Sequence, residues 1–225
     1  MKTLFIPAKL KLEINEKKIK KISKKLPKNI AIAYSVQYEN YAKQIKKLLN
    51  SNHRITNFIQ ILGCSKPKFP KNTKAILLIS DGKFHAISLA YETKLLGSDK
   101  IKNINNDFTM TEQKLPVYIL ENNKLTKISN EEIKNLEKRH KASYINYLNS
   151  DKIGILISTK PGQYRLKKAL QIENKIKNKK SYLFISNNIN TAEFENFPEI
   201  EAWINTACPR LDMESSRIVN ADKIR

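Results

Sequence analysis

Two cysteines and two polar loops carry the residue types from which chemistry can be built in this chain. Cys208 closes the run Ala202-Trp203-Ile204-Asn205-Thr206-Ala207 and is followed by Pro209 and Arg210. An apolar run rich in strand formers, halted by a proline, reads as a strand that delivers a thiol at its end. Arg210 sets a fixed positive charge close to that sulfur. Cys64 lies just past a similar run, Thr56-Asn57-Phe58-Ile59-Gln60-Ile61-Leu62, after Gly63. A lone cysteine in such a place is ordinarily a small buried apolar residue. Here both cysteines of the chain stand at strand ends, where an open α/β sheet presents its loops. Thiolates in a reducing compartment suit zinc or an iron–sulfur cluster. The close Cys-x-x-Cys pairs typical of zinc are absent.

The two polar loops also follow strands. Ser80-Asp81-Gly82-Lys83-Phe84-His85 carries one of three histidines, and its position after a strand suits a substrate contact. His53 and His140 stand among polar residues and read as solvated. Ser158-Thr159-Lys160-Pro161-Gly162-Gln163 precedes a helical pattern, so Lys160 and Gln163 suit an anion or amide contact at a helix N-terminus; a plain polar turn fits equally. No Ser-His-Asp order, phosphate-cradling lysine loop or Gly-x-Gly-x-x-Gly is present, which leaves hydrolase and nucleotidyl readings without support.

The elements that must position these loops follow from hydrophobic periodicity. Leu4 to Pro7 reads as a short strand or entry segment, and Ile14 to Leu26 as a lysine-rich helix. Ile30–Tyr34, Thr56–Leu62 and Lys74–Ser80 read as strands, with helices over Tyr38–Leu49 and from Ala86 to about Leu95. Pro116–Leu120 is a further strand, and the Asn-rich pieces between Gly97 and Asn130 read as loops. Ser129-Asn130-Glu131-Glu132 has the side chains of a helix start, with the helix running to about Leu148. A second βα pattern follows: strand Ile153–Ser158, helix Tyr164–Lys177, strand Ser181–Ser186 and strand Glu201–Thr206, with only a short tail beyond Arg210. Continuous apolar strands alternating with helices predict parallel sheets covered on both faces. The expectation is an α/β protein of two consecutive Rossmann-like domains, each a small parallel sheet flanked by helices. They span 1–140, with Cys64, and 141–225, with Cys208.

Composition narrows the classes. A chain of 225 residues with 40% hydrophobic content has material for real cores. The formal charge of +21 would suggest nucleic acid, but only six of the 42 basic residues are arginine and the lysines are spread along the chain. No RNA-binding fingerprint is visible, so no dedicated nucleic-acid role is expected, although the charge can steer an acidic macromolecule. Two cysteines 144 positions apart are no secreted disulfide framework. The apolar run at the N-terminus is too short for a signal peptide, and no stretch of roughly 18 apolar residues exists to span a membrane. A cytoplasmic protein is expected.

Together, Ile61-Leu62-Gly63-Cys64, Gly82-Lys83-Phe84-His85, Ile155-Leu156-Ile157-Ser158-Thr159-Lys160-Pro161-Gly162-Gln163 with Arg165-Leu166, and Ala207-Cys208-Pro209-Arg210 resemble one family in order and spacing. It is the diphthamide-biosynthesis radical enzymes, the 2-(3-amino-3-carboxypropyl)histidine synthases. The resemblance implies three similar α/β domains, each giving one cysteine to a central 4Fe-4S cluster whose remaining iron binds S-adenosylmethionine. Reductive cleavage then yields a 3-amino-3-carboxypropyl radical that attacks a histidine of elongation factor two. On this resemblance Cys64 and Cys208 are iron ligands, and His85, Gly162, Gln163 and Arg210 line the S-adenosylmethionine pocket, with Arg210 on its carboxylate.

Two departures from the family pattern qualify the expectation. The chain begins where the family's second domain begins, so the first domain and its cysteine are expected on a separate partner chain, in a dimeric or heteromeric complex. Ala86-Ile87-Ser88 also stands where the family has proline and glycine. Two further readings stay open at this stage: a non-catalytic scaffold or electron-relay subunit of the same complex, and a basic RNA- or ribosome-binding protein.

Overall fold

Strand β1 (Asn29–Tyr34) divides its side chains between two cores. Ile30, Ile32 and Tyr34 enter one, and Ala31 and Ala33 enter the other. Strand β4 (Ala75–Ile79) does the same, with Ala75, Leu77 and Ile79 on the first side and Ile76 and Leu78 on the second. A strand buried on both faces must be apolar throughout, which is why these runs show no polar alternation. The computed structural model describes residues 3–92, 94–95 and 115–224. The expected loops of the Asn-rich stretch 97–114 lie outside the described residues. The chain forms two units, Leu4–Ile133 and, from Lys134 onward, a second; the division falls inside the helix Asn130–Asn149.

In the N-terminal unit, helix α1 (Glu16–Ser23) is capped by Asn15, whose side chain accepts the Lys18 N–H at 3.0 Å. After β1, a 3₁₀ turn (Val36–Tyr38) leads into α2 (Glu39–Leu49) and then strand β2 (Arg54–Gln60). β2 stops two residues before the expected end, so Cys64 sits in a true loop. A two-residue strand β3 (Lys68–Phe69) precedes β4, and helix α3 (Phe84–Glu92) follows it. β3 pairs in parallel with β5 (Lys94–Leu95), where a helix end was expected. Strand β6 (Val117–Glu121) turns through Asn122 and Asn123, at φ 48° and 59°, into β7 (Lys124–Lys127). That Asn-Asn hairpin adds an antiparallel edge which the sequence expectation lacked. The sheet order is β2-β1-β4-β6-β7. Leu4–Pro7 is not a strand: it has no regular structure, and Leu4, Phe5 and Ile6 are exposed.

Helix α4 (Asn130–Asn149) leads into the C-terminal unit, with strand β8 (Lys152–Ser158), helix α5 (Leu166–Lys175) and edge strand β9 (Lys180–Ser186). Strand β10 (Ala202–Asn205) follows a 3₁₀ segment (Thr191–Asn196). The residues past Arg210 are no mere tail. They complete a 3₁₀ turn (Pro209–Met213) and a strand β11 (Ile218–Asn220) that pairs with β10. Ile218 and Val219 are buried there. The order is β11-β10-β8-β9, all parallel. Gly154 on β8 lies opposite Trp203 on β10, and the missing side chain makes room for the indole.

Both sheets place a reversal of winding between two central strands. In the first, β1 leads to β2 on one side and β2 leads to β4 on the other. In the second, β8 leads to β9 and β9 leads back across to β10. The carboxyl ends of β1 and β4, and of β8 and β10, therefore flank the crevices in which such sheets hold ligands. Among the described residues no helix is long and apolar enough to cross a membrane.

Candidate functional site

The four loops singled out by residue type divide two and two between the units. In the N-terminal unit, Gly63 and Cys64 occupy a tight turn: the Leu62 N–H donates to Ser65 Oγ at 2.8 Å, and the Ser65 N–H to Leu62 O at 2.9 Å. A Cβ on Gly63 would fall 2.7 Å from Phe84 Cε1 and 3.5 Å from His85 Nε2. The cysteine turn thus lies directly on the first turn of α3, and Cys64 itself is exposed. Gly82, at φ +68°, turns the preceding loop through a backbone region that glycine adopts without strain. Lys83 Nζ donates to Glu132 Oε1 at 2.7 Å. Glu132 also accepts the Ser129 N–H at 2.9 Å while its own N–H donates to Ser129 Oγ at 3.1 Å, a capping box at the start of α4. The lysine holds that carboxyl below the ordinary glutamate value, with the Ser129 N–H adding to the effect.

In the C-terminal unit, Lys160, Gln163, Asn187, Cys208, Arg210 and Glu214 line a cleft of about 350 Å³ beyond the carboxyl ends of β8 and β10. The Lys160 N–H donates to Ser158 Oγ at 3.1 Å and the Gln163 N–H to Lys160 O at 3.0 Å. Gly162, at φ +79°, closes that turn and places Gln163 on the cleft wall. Of the expected pocket residues, the structure unites Gln163, Arg210 and Cys208 around one cavity, with Gly162 next to it. His85 and Cys64 are neighbours in the other unit.

A buried polar network, not anticipated from the sequence, lies behind the Cys208 loop. Asn205 accepts the Ala207 N–H at 2.9 Å and donates to Cys208 O at 2.7 Å and to Asn220 Oδ1 at 2.6 Å. Asn220 donates to Pro209 O at 3.0 Å and to Asp212 Oδ2 at 2.6 Å. The same carboxylate oxygen meets His140 Nε2 and Lys223 Nζ, each at 2.9 Å. His140 is therefore buried and paired, not solvated. His53 corrects the same expectation: it is buried between Ser23 Oγ at 2.7 Å and Pro27 O at 2.9 Å. Polar residues such as Asn205 and Asn220 inside otherwise apolar strands were the available signal, along with Asn187 and Glu214 on the cleft.

Mainly parallel, doubly wound units that carry free thiols on loops beyond their strand ends define a thiol-bearing α/β protein. The chain belongs to the family of putative diphthamide synthesis proteins, whose pattern matches residues 1–217. It is similar to the 2-(3-amino-3-carboxypropyl)histidine synthase of Pyrococcus horikoshii, with 26% identity over 228 residues that cover 94% of this chain and 60% of that protein. Its fold matches the crystal structure of Dph2 from Pyrococcus horikoshii with a 4Fe-4S cluster, at a TM-score of 0.68 and 21% identity over 92% of this chain and 58% of that one. A second crystal structure of the same Dph2 matches at 0.68 and 22%, with the same coverage. The chain spans less than two thirds of the length of these relatives.

Proposed function

We propose that the chain is the thiol-bearing part of a 2-(3-amino-3-carboxypropyl)histidine synthase. That transferase moves the 3-amino-3-carboxypropyl group of S-adenosylmethionine to a histidine of elongation factor two, the first step of diphthamide biosynthesis. The observation that carries the reading is the convergence of Cys208, Gln163 and Arg210, distant in sequence, on one cleft. The activity of the curated relative and the cluster in the related Dph2 structure support it. The protein works in the cytoplasm, where thiols stay reduced.

The donor chemistry suits an iron–sulfur cluster: both cysteines are free thiols, and Cys64 and Cys208 are the proposed ligands. Among the described residues no group of three or more His, Cys, Asp or Glu side chains is placed to hold a metal ion. The further ligands are assigned, as part of this proposal, to a companion chain. When bound, such a cluster supplies the single electron that cleaves the sulfonium's bond to the γ-carbon of S-adenosylmethionine.

The chain's own residues bind and orient. Arg210 and Lys160 offer positive charge, Gln163 and Asn187 offer amide donors, and Glu214 offers a negative charge in the same cleft. This set is matched to a zwitterionic amino-acid end, with Arg210 on the carboxylate and Glu214 on the ammonium. In the other unit His85 is held beside the Cys64 turn, and we assign it to the same substrate.

The test is anaerobic reconstitution with iron, sulfide and the companion carrying the further thiol. The wild-type assembly turns brown and binds iron, and Cys208→Ala loses both. A Cys208→Ala assembly with full colour and iron overturns the ligand assignment. Full activity after Cys64→Ala assigns the chain to a scaffold role instead.

A further inference from the structure

We propose that Asn205 and Asn220 are positioning residues for Cys208: they hold the backbone on both sides of the cysteine so that its sulfur stays presented to the cleft. The proposal rests on the reading of Cys208 as a ligand, but its geometry stands apart from that reading.

The hydrogen bonds address three consecutive residues of one loop. Asn205 takes the N–H of Ala207 and gives to the carbonyl of Cys208, and Asn220 gives to the carbonyl of Pro209. A carboxamide accepts through its oxygen and donates twice through its nitrogen without bringing a charge into the core. Both N–H donors of each asparagine are used. Asn205 spends its second on Asn220, and Asn220 spends its second on Asp212. Asn205 is 3% exposed, and Asn220 and Asp212 are 5% exposed. Burying such groups is costly unless they are fully bonded, and a fully bonded network is rigid.

Asp212 then ties the network to the rest of the unit. Its carboxylate accepts from Lys223 Nζ beyond β11 and lies 2.9 Å from His140 Nε2 of α4, so the turn after Cys208 packs against two further elements. Thr206 adds a further tie, its hydroxyl donating to Leu156 O at 2.7 Å across to β8. A strand that merely had to end would need none of these bonds to the carbonyls of Cys208 and Pro209. The arrangement is what is expected where a side chain must be held to within a fraction of an ångström by packed partners.

The experiment uses the full chain, metal-free and reduced, and follows alkylation at Cys208 and Cys64 separately by mass spectrometry. Cys64, in the other unit, is the internal reference. Asn205→Leu keeps the branching and brings no charge, but removes all three hydrogen bonds. In this variant, folded by circular dichroism, Cys208 alkylates several-fold faster than in the wild type while Cys64 is unchanged. Iron affinity of the reconstituted assembly falls roughly tenfold or more, the usual cost of losing a residue that orients a metal ligand. An unchanged ratio of Cys208 to Cys64 alkylation in the folded variant overturns the proposal. Should Asn205→Leu not fold, Asn220→Leu, which keeps both loop bonds of Asn205 but removes the bond to Pro209 and those to Asn205 and Asp212, is read by the same ratio and the same criterion. If Cys208→Ala leaves iron binding intact, the ligand reading fails on its own and the alkylation ratio still decides the positioning role.

Discussion

Gly63, the residue before Cys64, lies against Phe84, the residue before His85: a Cβ on the glycine would stand 2.7 Å from the ring's Cε1. Two loops with candidate chemistry are thereby locked together by an absent side chain. Gly63→Ala must push the Cys64 turn off α3 or rotate Phe84. The expected destabilisation is about 1–3 kcal/mol, as for other overpacked sites, measured by urea unfolding. Phe84→Leu in the same background gives the methyl room and recovers part of the loss. A Gly63→Ala protein as stable as wild type would show that the loops are not in contact.

Gly154 and Trp203 make the same kind of pair in the C-terminal unit, with a Cβ on Gly154 only 2.3 Å from Trp203 Cε3. Trp203 is 1% exposed and stacks on Phe194 at 4.1 Å between ring centroids. Since the indole cannot withdraw, Gly154→Ala is expected to cost about 1–3 kcal/mol or more. Trp203→Ala costs about 3–5 kcal/mol through the cavity it leaves. Because the second change removes the clash caused by the first, the double variant is more stable than the sum of the two predicts. Additive losses in a thermal unfolding series would refute the packing.

The central strands were legible in the sequence because β1, β4, β8 and β10 are buried on both faces and therefore apolar through their middles, with polar residues only at their ends. The start of α4 was legible too, since a capping box is a local pattern of Ser129 and Glu132. What stayed hidden depends on partners far along the chain. β11 has three residues, and only its pairing with β10 makes it a strand. β7 is short, polar and held by the turn before it. His140 reads as a solvated helix residue until Asp212, 72 positions on, is folded against it. The convergence of Gln163 with Cys208 is equally non-local; it was anticipated only because both loops follow strands, whose ends a doubly wound sheet can gather at one edge, and through the resemblance to a family.

Glu132 sets a pH dependence for the N-terminal unit. Its carboxyl is held below the ordinary value, first by the bond from Lys83 and then by the Ser129 N–H. Folding thus favours the ionised form. The stabilisation is complete above the unfolded-state value of roughly 4.3 and is lost as pH falls from there through the lower folded-state value. Glu132→Gln should be less stable than wild type at neutral pH, and the two should converge in acid. A stability gap that persists unchanged to the lowest pH at which the protein folds would contradict the ion pair.

Arg210, Gln163 and Glu214 line one cleft, and the proposed function gives Arg210 the carboxylate of S-adenosylmethionine. A hydrogen bond to a charged group contributes about 1.5–3 kcal/mol. Arg210→Ala should therefore weaken S-adenosylmethionine binding to the reconstituted assembly by roughly tenfold or more. Arg210→Lys restores only part, because an ammonium supplies the charge without the two-pronged geometry. Glu214→Gln weakens binding in the same assay through the ammonium end, and an analogue lacking the α-amino group is insensitive to that substitution. Isothermal titration separates these outcomes. Equal affinities for wild type, Arg210→Ala and Glu214→Gln would place the amino-acid end of the substrate elsewhere, whereas the predicted pairing of each substitution with one end of the zwitterion would fix its orientation in the cleft beside Cys208.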